Sequence, residues 1–193
     1  MYLILDTETT GVTPTDRVVS ISWALFDESA TRLLLTHHII SPDGFSIPRE
    51  ASAIHGISTE EARRKGIPIK EALDGLSRDL ARHPPVLFVG HNVNLDRPIV
   101  LNEYARLGTE AALAKLPTYC TMRSTVEFCR IPRYRGGYKW PTLQELHRKL
   151  FGVPHTSAHD AQGDVVACAK CFFELRQRGL VSAKPAAARP RGP

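Results

Sequence analysis

The chain has 193 residues, of which 42% are hydrophobic and 23% are charged. These values suit one globular domain and exclude a fibrous or largely disordered chain. The sequence has no run of about 18 apolar residues, and MYLILDTETT at the N-terminus has neither a basic leader nor a small-residue cleavage site. We therefore expect a cytoplasmic protein with no membrane contact.

The formal net charge of +5 is concentrated in two segments. Residues 130–150 carry six basic side chains and one acidic one, and residues 181–193 carry three basic side chains and no acidic one. Cationic side chains displace counterions from a phosphate backbone, so the pattern favours a polyanionic partner. A solvated loop that is basic by chance explains the charge equally well. The composition predicts one domain over residues 1–180 and a flexible, basic Pro/Ala-rich tail over residues 181–193.

The four cysteines do not form a pattern typical of disulfides or of zinc binding. Cys168 and Cys171 form a CxxC within an apolar helical run, with no second pair at ligand spacing. We expect buried free thiols at these positions and at Cys120 and Cys129.

The first 40 residues predict an antiparallel meander. A short apolar strand over residues 2–5 ends at Asp6, and strands over residues 18–26 and 33–40 follow, separated by a polar turn.

The chain then becomes mainly helical. Ser58 and Glu61 form a capping box that starts a helix at Thr59, and Pro68 starts another that runs to about residue 82. A fourth strand is predicted over residues 86–89. A helix then opens at Asp96, which precedes Arg97-Pro98.

The last third of the chain predicts helices around a basic loop. Residues 122–129 are predicted to be helical, and residues 131–140 form an irregular loop. Thr142 and Glu145 cap a helix that ends near residue 152, and a final helix spans residues 159–178.

The predicted end of the first strand carries two carboxylates, Asp6 and Glu8, within DTETTG. Side chains two residues apart in an extended backbone share a face, so both can reach one cation. Close carboxylates repel each other unless a metal or a proton neutralises them, and oxygen ligands favour Mg²⁺ or Mn²⁺. A lone D-x-E is more often an ordinary surface turn. This pair, however, comes directly after a predicted buried strand and is followed by Thr9, Thr10 and Gly11, whose small side chains would let a ligand approach the backbone. That position favours a binding site.

Two later segments supply further acids. Asp96 follows the predicted fourth strand and HNVNL, although by itself it is better explained as a helix N-cap. HTSAHDAQGD contains two pairs with a five-residue spacing, His159 with Asp164 and His155 with Asp160. We prefer the first pair, because Asp164 lies one turn into an amphipathic helix that would hold its carboxylate rigidly. A histidine beside a metal-bound water is the expected general base.

These residues together can hold two divalent ions about 4 Å apart for an in-line phosphoryl displacement. The four carboxylates are Asp6, Glu8, Asp96 and Asp164, and the histidine is His159. The chemistry that they predict is hydrolysis of a phosphodiester bond.

DTETTG, IHGIS, HNVNLD and HDAQGD, in that order, resemble the motifs of the DEDDh branch of the DnaQ-like 3′-to-5′ exonucleases, which includes RNase T and the DNA polymerase III epsilon subunit. The resemblance covers residues 1 to about 180. It implies an α/β, RNase-H-like fold, in which a mixed five-stranded sheet is flanked by helices. It also implies that the four carboxylates bind two Mg²⁺ or Mn²⁺ ions and that His159 is the general base. The family pattern H-x-A-x-x-D fits His159, Ala161 and Asp164, whereas Ser157 stands in the alanine position of the His155 register.

The resemblance further implies a set of substrate contacts. The backbone and side chains around Thr9 and Thr10 would receive the terminal nucleotide, with His55, Asn92 and Asn94 nearby. Relatives often have an aromatic residue where this sequence has Leu95. The basic loop mixes cations with aromatic rings, a combination that suits a single strand, although Trp140 is equally well explained as core. Its candidate contacts are Arg133, Arg135, Tyr138, Lys139 and Trp140.

The preferred hypothesis is a metal-dependent 3′-to-5′ exonuclease that acts on single-stranded or frayed nucleic acid, with DNA favoured over RNA, and releases nucleoside 5′-monophosphates. Its partners would be a nucleic acid with a free 3′ end and a DNA polymerase or repair complex. Two alternatives stay open: an oligoribonuclease-like phosphodiesterase for very short oligonucleotides, and a non-catalytic nucleic-acid-binding module of the same fold.

Overall fold

The computed structural model describes residues 1–134, 136–155 and 160–181. A five-stranded mixed sheet with strand order β3-β2-β1-β4-β5 is flanked by helices. The strands are β1 (Tyr2–Thr9), β2 (Val18–Phe26), β3 (Arg32–Ile39), β4 (Leu87–Gly90) and β5 (Thr118–Cys120). The antiparallel β1-β2-β3 meander precedes the two strands that add in parallel, β4 beside β1 and β5 beside β4. The predicted α/β, RNase-H-like architecture is confirmed.

Eight α-helices lie in the described part of the chain. They are α1 (Arg49–His55), α2 (Thr59–Lys65), α3 (Ile69–Arg82), α4 (Val93–Arg106), α5 (Thr121–Ser124), α6 (Val126–Cys129), α7 (Leu143–Phe151) and α8 (Ala161–Gln177). A 3-10 helix covers Ala112–Lys115. None of these helices is both long and apolar enough to cross a membrane.

The alternation of side chains along β1 divides the core into two layers. Leu3 and Leu5 point into a layer that contains the apolar sides of α3 and α4. Ile4 points to the opposite face, where α7 and α8 pack. Since Asp6 and Glu8 continue the series that begins with Ile4, their carboxylates belong on the α8 face, and Thr7 belongs on the α4 face.

Two predicted boundaries are wrong, and both lie at the site. β1 does not end at residue 5 but runs to Thr9, because its pairing with β2 continues as far as Thr9 opposite Val18. α4 begins at Val93, so Asp96 lies within its first turn and is not the N-cap. Pro98 lies inside this helix; a proline is tolerated near a helix start, where few backbone N–H groups have a helical partner.

Other predicted elements agree closely with the structure. β2 has the predicted bounds, and the Thr142–Glu145 capping box of α7 is present with both of its hydrogen bonds. Gly152 ends α7 with a φ of +79°, a conformation that favours glycine. The region predicted as one helix over residues 122–129 is two short helices, α5 and α6. No specific sequence signal marks α1 or the three-residue β5.

Three of the four cysteines are buried, and all four thiols are free. Cys168 and Cys171 lie in α8 against the sheet, with Phe172. The apolar character of this helix face therefore comes from packing. The predicted tail lies outside the described residues from position 182 onward.

Candidate active site

Three of the predicted acidic residues converge at the C-terminal half of β1 and the first turn of α8. One carboxylate oxygen from each of Asp6, Glu8 and Asp164 lies within 4.8 Å of the other two. Asp6 and Glu8 share a face of β1, and α8 places Asp164 over that face. A buried strand and a packed helix therefore hold the cluster on two rigid supports.

Asp96 approaches the same strand from the α4 side. β4 pairs with β1 only from Tyr2 to Ile4, so among the described residues no strand neighbours the edge of β1 beyond Ile4 on this side. Asp96 takes that place: its Oδ1 accepts hydrogen bonds from the backbone N–H of Thr7 (3.1 Å) and from the Thr7 hydroxyl (2.8 Å). Asp96 is 3% exposed and is not among the three carboxylates of the tight cluster.

The electrostatics show that the acidic residues act on one another. Burial raises the pKa of Asp6 well above its ordinary value, and the charges of Asp96, Asp164 and Glu8 raise it further. Burial, followed by the charges of Asp164 and Asp96, raises the pKa of Glu8 to about 7. Burial also raises the pKa of Asp96 to about 7, against the opposing effect of the Thr7 hydrogen bonds. Because these carboxylates repel one another in a desolvated place, bound cations would stabilise the group.

The N-terminus of α8 adds another acid and a histidine. The Asp160 side chain caps the helix by accepting hydrogen bonds from the backbone N–H groups of Gln162 and Gly163. His155 Nε2 lies 3.3 Å from Asp164 Oδ1. His159, the preferred partner of Asp164 in the sequence analysis, lies outside the described residues.

The loop that follows β1 is fixed by its own hydrogen bonds. The Thr10 hydroxyl donates to Asp16 Oδ1 (2.9 Å) and accepts from the backbone N–H of Arg17 (2.9 Å), while the Thr9 hydroxyl donates to the carbonyl of Gly11. A Cβ at Gly11 would lie 2.7 Å from the Asp16 carboxylate oxygens, so a larger residue here would displace the Asp16 side chain. The Thr10 hydroxyl is thus engaged in holding the loop.

The other predicted substrate residues lie on separate elements. His55 ends α1, and its Nδ1 accepts from the backbone N–H of Ile57 (3.1 Å), while its buried Nε2 has no hydrogen-bond partner among the described residues. Asn92 precedes α4 with a φ of +78°. The Asn94 side chain, oriented with its oxygen toward α5, accepts from Arg123.

The basic loop, which is predicted to be irregular, contains regular contacts among its described residues. Pro132 and Tyr138 form an antiparallel bridge, and Lys139 Nζ lies 2.6 Å from Glu145 Oε1. The backbone carbonyl of Pro141 lies 3.1 Å from His91 Nε2. Trp140 is half-exposed and is not a core residue. Arg135 lies outside the described residues, so the placement of its side chain stays untested.

Sequence reasoning missed two residues that organise the site. Thr7 lies between Asp6 and Glu8, and its hydroxyl donates a hydrogen bond to Asp96. His91 opens the HNVNLD segment, and its two ring nitrogens contact Thr121 and Pro141. The alternation along β1 offers a signal for Thr7, because a polar side chain that points into the core needs a hydrogen-bond partner. No local pattern identifies the hydrogen-bond partners of His91.

Comparisons with known proteins agree with this geometry. The family model described as Exonuclease (RNase_T) matches residues 3–172. A DNA polymerase III subunit epsilon-like protein of Rhodobacter capsulatus is 28% identical over 191 residues, which cover 94% of this chain and 25% of that protein. Structures of E. coli exonuclease I in complex with dT13 and with dA16 oligonucleotides give TM-scores of 0.76 and 0.77 at 22% identity, covering 92% of this chain and 41% of those chains. The chain therefore spans about a quarter of the curated relative and about two fifths of the exonuclease I chains.

Proposed function

Because this chain belongs to the exonuclease family whose model spans residues 3–172, we propose that it is a metal-dependent 3′-to-5′ exonuclease of the DEDDh type. It would remove nucleoside 5′-monophosphates from the 3′ end of single-stranded or frayed nucleic acid, with DNA favoured over RNA. The observation that carries the proposal is the cluster of Asp6, Glu8 and Asp164, whose carboxylate oxygens lie within 4.8 Å of one another beside buried Asp96.

The donor set fits Mg²⁺ or Mn²⁺. Its members are carboxylates, which hard divalent cations prefer, and they come from β1, α4 and α8, so folding brings them together before any ion binds. Asp6, Glu8, Asp96 and Asp164 would hold two such ions. When bound, divalent cations lower the pKa of a water molecule and neutralise charge on the leaving 3′ oxygen.

The proton of the attacking water would go to a histidine next to the cluster. We assign this role to His159, which fits the family pattern H-x-A-x-x-D with Ala161 and Asp164. His155 is the alternative, since its Nε2 lies 3.3 Å from Asp164 Oδ1. Paired variants of the two histidines distinguish these assignments.

The substrate strand would enter past the loop after β1 and the start of α4. Thr9 and Thr10 lie where β1 passes into this loop, and Asn92 and Asn94 lie at the start of α4. The Nδ1 of His55 already accepts a hydrogen bond, so the neutral ring carries its proton on Nε2. This Nε2 is buried and has no hydrogen-bond partner among the described residues, so it would donate to a phosphate oxygen only if strand binding exposes it.

The basic loop extends this path. Arg133, Arg135, Tyr138, Lys139 and Trp140 would contact the strand further from its 3′ end by combining phosphate contacts with stacking on aromatic rings. Lys139 is paired with Glu145, so we expect it to contribute less than Arg133, which has no carboxylate partner among the described residues.

The relatives suggest the choice of partner. The matching exonuclease I structures hold single-stranded deoxyoligonucleotides, and the curated relative is described as polymerase III epsilon-like. We therefore place DNA ahead of RNA, and a polymerase or repair complex ahead of other protein partners. The tail over residues 181–193 is a candidate tether to such a complex.

The proposal is tested with 3′-labelled single-stranded DNA, duplex DNA and RNA of equal length, each incubated with Mg²⁺, with Mn²⁺ and with EDTA. We expect mononucleotide release from single-stranded DNA with either metal and none with EDTA. Cleavage restricted to di- and trinucleotides would favour the oligonucleotide phosphodiesterase. Metal-independent binding without cleavage would favour the non-catalytic module and contradict the proposal.

A further inference from the structure

Arg123, which none of the sequence motifs includes, connects the acidic site to the basic loop. It lies in α5, and with the Asn94 amide oxygen oriented toward α5, its Nε and one Nη donate to that oxygen at 3.1 Å each. Its guanidinium carbon lies 5.0 Å from the centroid of the Trp140 ring. Arg123 is therefore fixed between the first turn of α4 and the end of the loop.

The guanidinium retains donors that this arrangement does not use. An arginine has five N–H donors, and Asn94 takes two of them. Within the described residues, no carboxylate lies within ion-pair distance of Arg123, and its side chain is exposed. A positioned guanidinium with free donors and no counterion is suited to bidentate binding of a phosphate group.

The position of Arg123 relative to the acidic cluster limits which phosphate of the substrate it can bind. Asn94 and Asp96 lie in the same turn of α4, about 3 Å apart along the helix axis, but Asp96 is buried and Asn94 is exposed. Because residues two apart project from opposite sides of a helix, Arg123 lies beside the exposed side of this turn, away from the Asp96 carboxylate. The indole of Trp140 is half-exposed in the same place, so a base and its phosphate can be bound side by side.

The surrounding contacts hold this arrangement in place. The carbonyl of Pro141, the residue after Trp140, lies 3.1 Å from His91 Nε2, and Lys139 pairs with Glu145 of α7. The residues on either side of Trp140 are therefore anchored to other elements. Less conformational entropy is therefore lost at these residues when a strand binds.

We propose that Arg123 binds a backbone phosphate of the substrate strand upstream of the scissile linkage, while Trp140 stacks against the neighbouring base. This inference rests on the proposed exonuclease function. Arg123 would then favour a nucleic-acid strand over a substrate that contains a single phosphodiester. The opposing interpretation gives Arg123 a purely structural role, in which it only holds Trp140 and the loop.

The test compares Arg123→Gln and Arg123→Lys with the control Arg82→Gln, which removes one exposed charge at the end of α3. The substrates are an oligodeoxythymidylate and the p-nitrophenyl ester of thymidine 5′-monophosphate, which has one phosphodiester and no upstream phosphate. For Arg123→Gln we expect the KM on the oligonucleotide to rise about tenfold with a smaller change in kcat, because a charge-assisted hydrogen bond is lost. The salt dependence of oligonucleotide binding should become shallower by about 0.7 in log-log slope. Hydrolysis of the ester should fall much less than hydrolysis of the oligonucleotide, because the ester has no upstream phosphate.

Arg123→Lys should recover the salt slope, because it keeps the charge, but not the full KM. Equal losses on both substrates, or a normal KM in Arg123→Gln, would overturn the assignment even if the wild-type protein is an exonuclease. If the wild-type protein hydrolyses neither substrate with Mg²⁺ or Mn²⁺, the exonuclease function itself fails, and this inference fails with it.

Discussion

Thr7 and Asp96, which are 89 residues apart in sequence, form two hydrogen bonds that join the central strand to the first turn of α4. Both bonds end on Oδ1 of Asp96, at 3.1 Å from the Thr7 nitrogen and 2.8 Å from its hydroxyl. This contact fixes the orientation of one carboxylate beside the cluster of Asp6, Glu8 and Asp164. The acidic site is thus assembled from both faces of one strand.

Replacing Thr7 by Val tests this relationship. Valine keeps the shape and the backbone hydrogen bond but removes the hydroxyl donor from buried Asp96. We expect a loss of about 1–2 kcal/mol in the free energy of unfolding, measured with urea. We also expect a loss of about tenfold in kcat, because Asp96 is less well oriented. Thr15→Val, on the exposed loop, is the matched control, and equal behaviour of the two variants would show that the contact is unimportant.

Divalent cations should stabilise the fold. Since the carboxylates repel one another in a buried place, Mn²⁺ should bind the native state and raise the melting temperature at pH 7.5. Asp164→Asn removes one charge from the cluster, so the metal-free variant should melt no lower than the wild-type protein and should gain less from Mn²⁺. Asp27→Asn changes an acid in the turn between β2 and β3, so it should gain as much from Mn²⁺ as the wild-type protein does. An equal gain for Asp164→Asn would contradict the assignment of Asp164 as a ligand.

The two candidate general bases, His155 and His159, both precede α8 in the sequence and lead to different predictions. If His159 is the general base, His159→Gln should lower kcat by about a hundredfold or more at saturating Mg²⁺, with little effect on oligonucleotide binding. His155→Gln should then have the smaller effect, through its contact with Asp164. Single-turnover rates for both variants decide the matter. A larger loss in His155→Gln would transfer the role to His155.

His91 predicts a particular dependence of stability on pH. Burial lowers its pKa from 6.5 to about 4, with a smaller contribution from nearby His155, while its contact with the Pro141 carbonyl opposes the shift. The unfolded chain therefore binds a proton on His91 more readily than the folded chain does between these values. The stability due to neutral His91 is complete above about pH 6.5 and is lost as the pH falls toward 4.

The loss between pH 7.5 and pH 5 should be on the order of 2 kcal/mol for this residue. His91→Gln should show a correspondingly smaller fall in the free energy of unfolding over this range, measured with urea at both pH values. Comparison with the wild-type protein cancels the contribution of the acidic cluster. An identical fall in both proteins would show that His91 does not titrate in this way.

Local signals in the sequence predicted the elements whose determinants are local. The apolar run of β2, the capping box at Thr142 and the glycine at position 152 each specify their element within a few residues. The short strand β5 and the true start of α4 depend on tertiary contacts. β5 has three residues that pair with β4, and the first turn of α4 is positioned by the contact between Asp96 and Thr7. No local pattern contains that information.

The chemistry of the site could be predicted from the sequence, but the residues that hold the site in place could not. Carboxylates spaced along the chain at predicted element ends pointed to a metal site, and the structure brings Asp6, Glu8 and Asp164 together. The mistaken end of β1 had no effect on this prediction, because alternation places Asp6 and Glu8 on one face in any extended backbone. Thr7, His91 and Arg123 act through partners on distant segments, so their roles become visible only in three dimensions.

The central claim is that Asp6 belongs to the group of carboxylates that supports hydrolysis. The most direct test is the rate of mononucleotide release from 3′-labelled single-stranded DNA by Asp6→Ala, compared with Asp27→Asn, at saturating Mn²⁺ and with circular dichroism to verify folding. We predict that folded Asp6→Ala loses nearly all activity and that Asp27→Asn keeps it. A folded Asp6→Ala protein that retains more than about a tenth of the wild-type rate would contradict the assignment, because loss of an essential metal ligand removes far more than that.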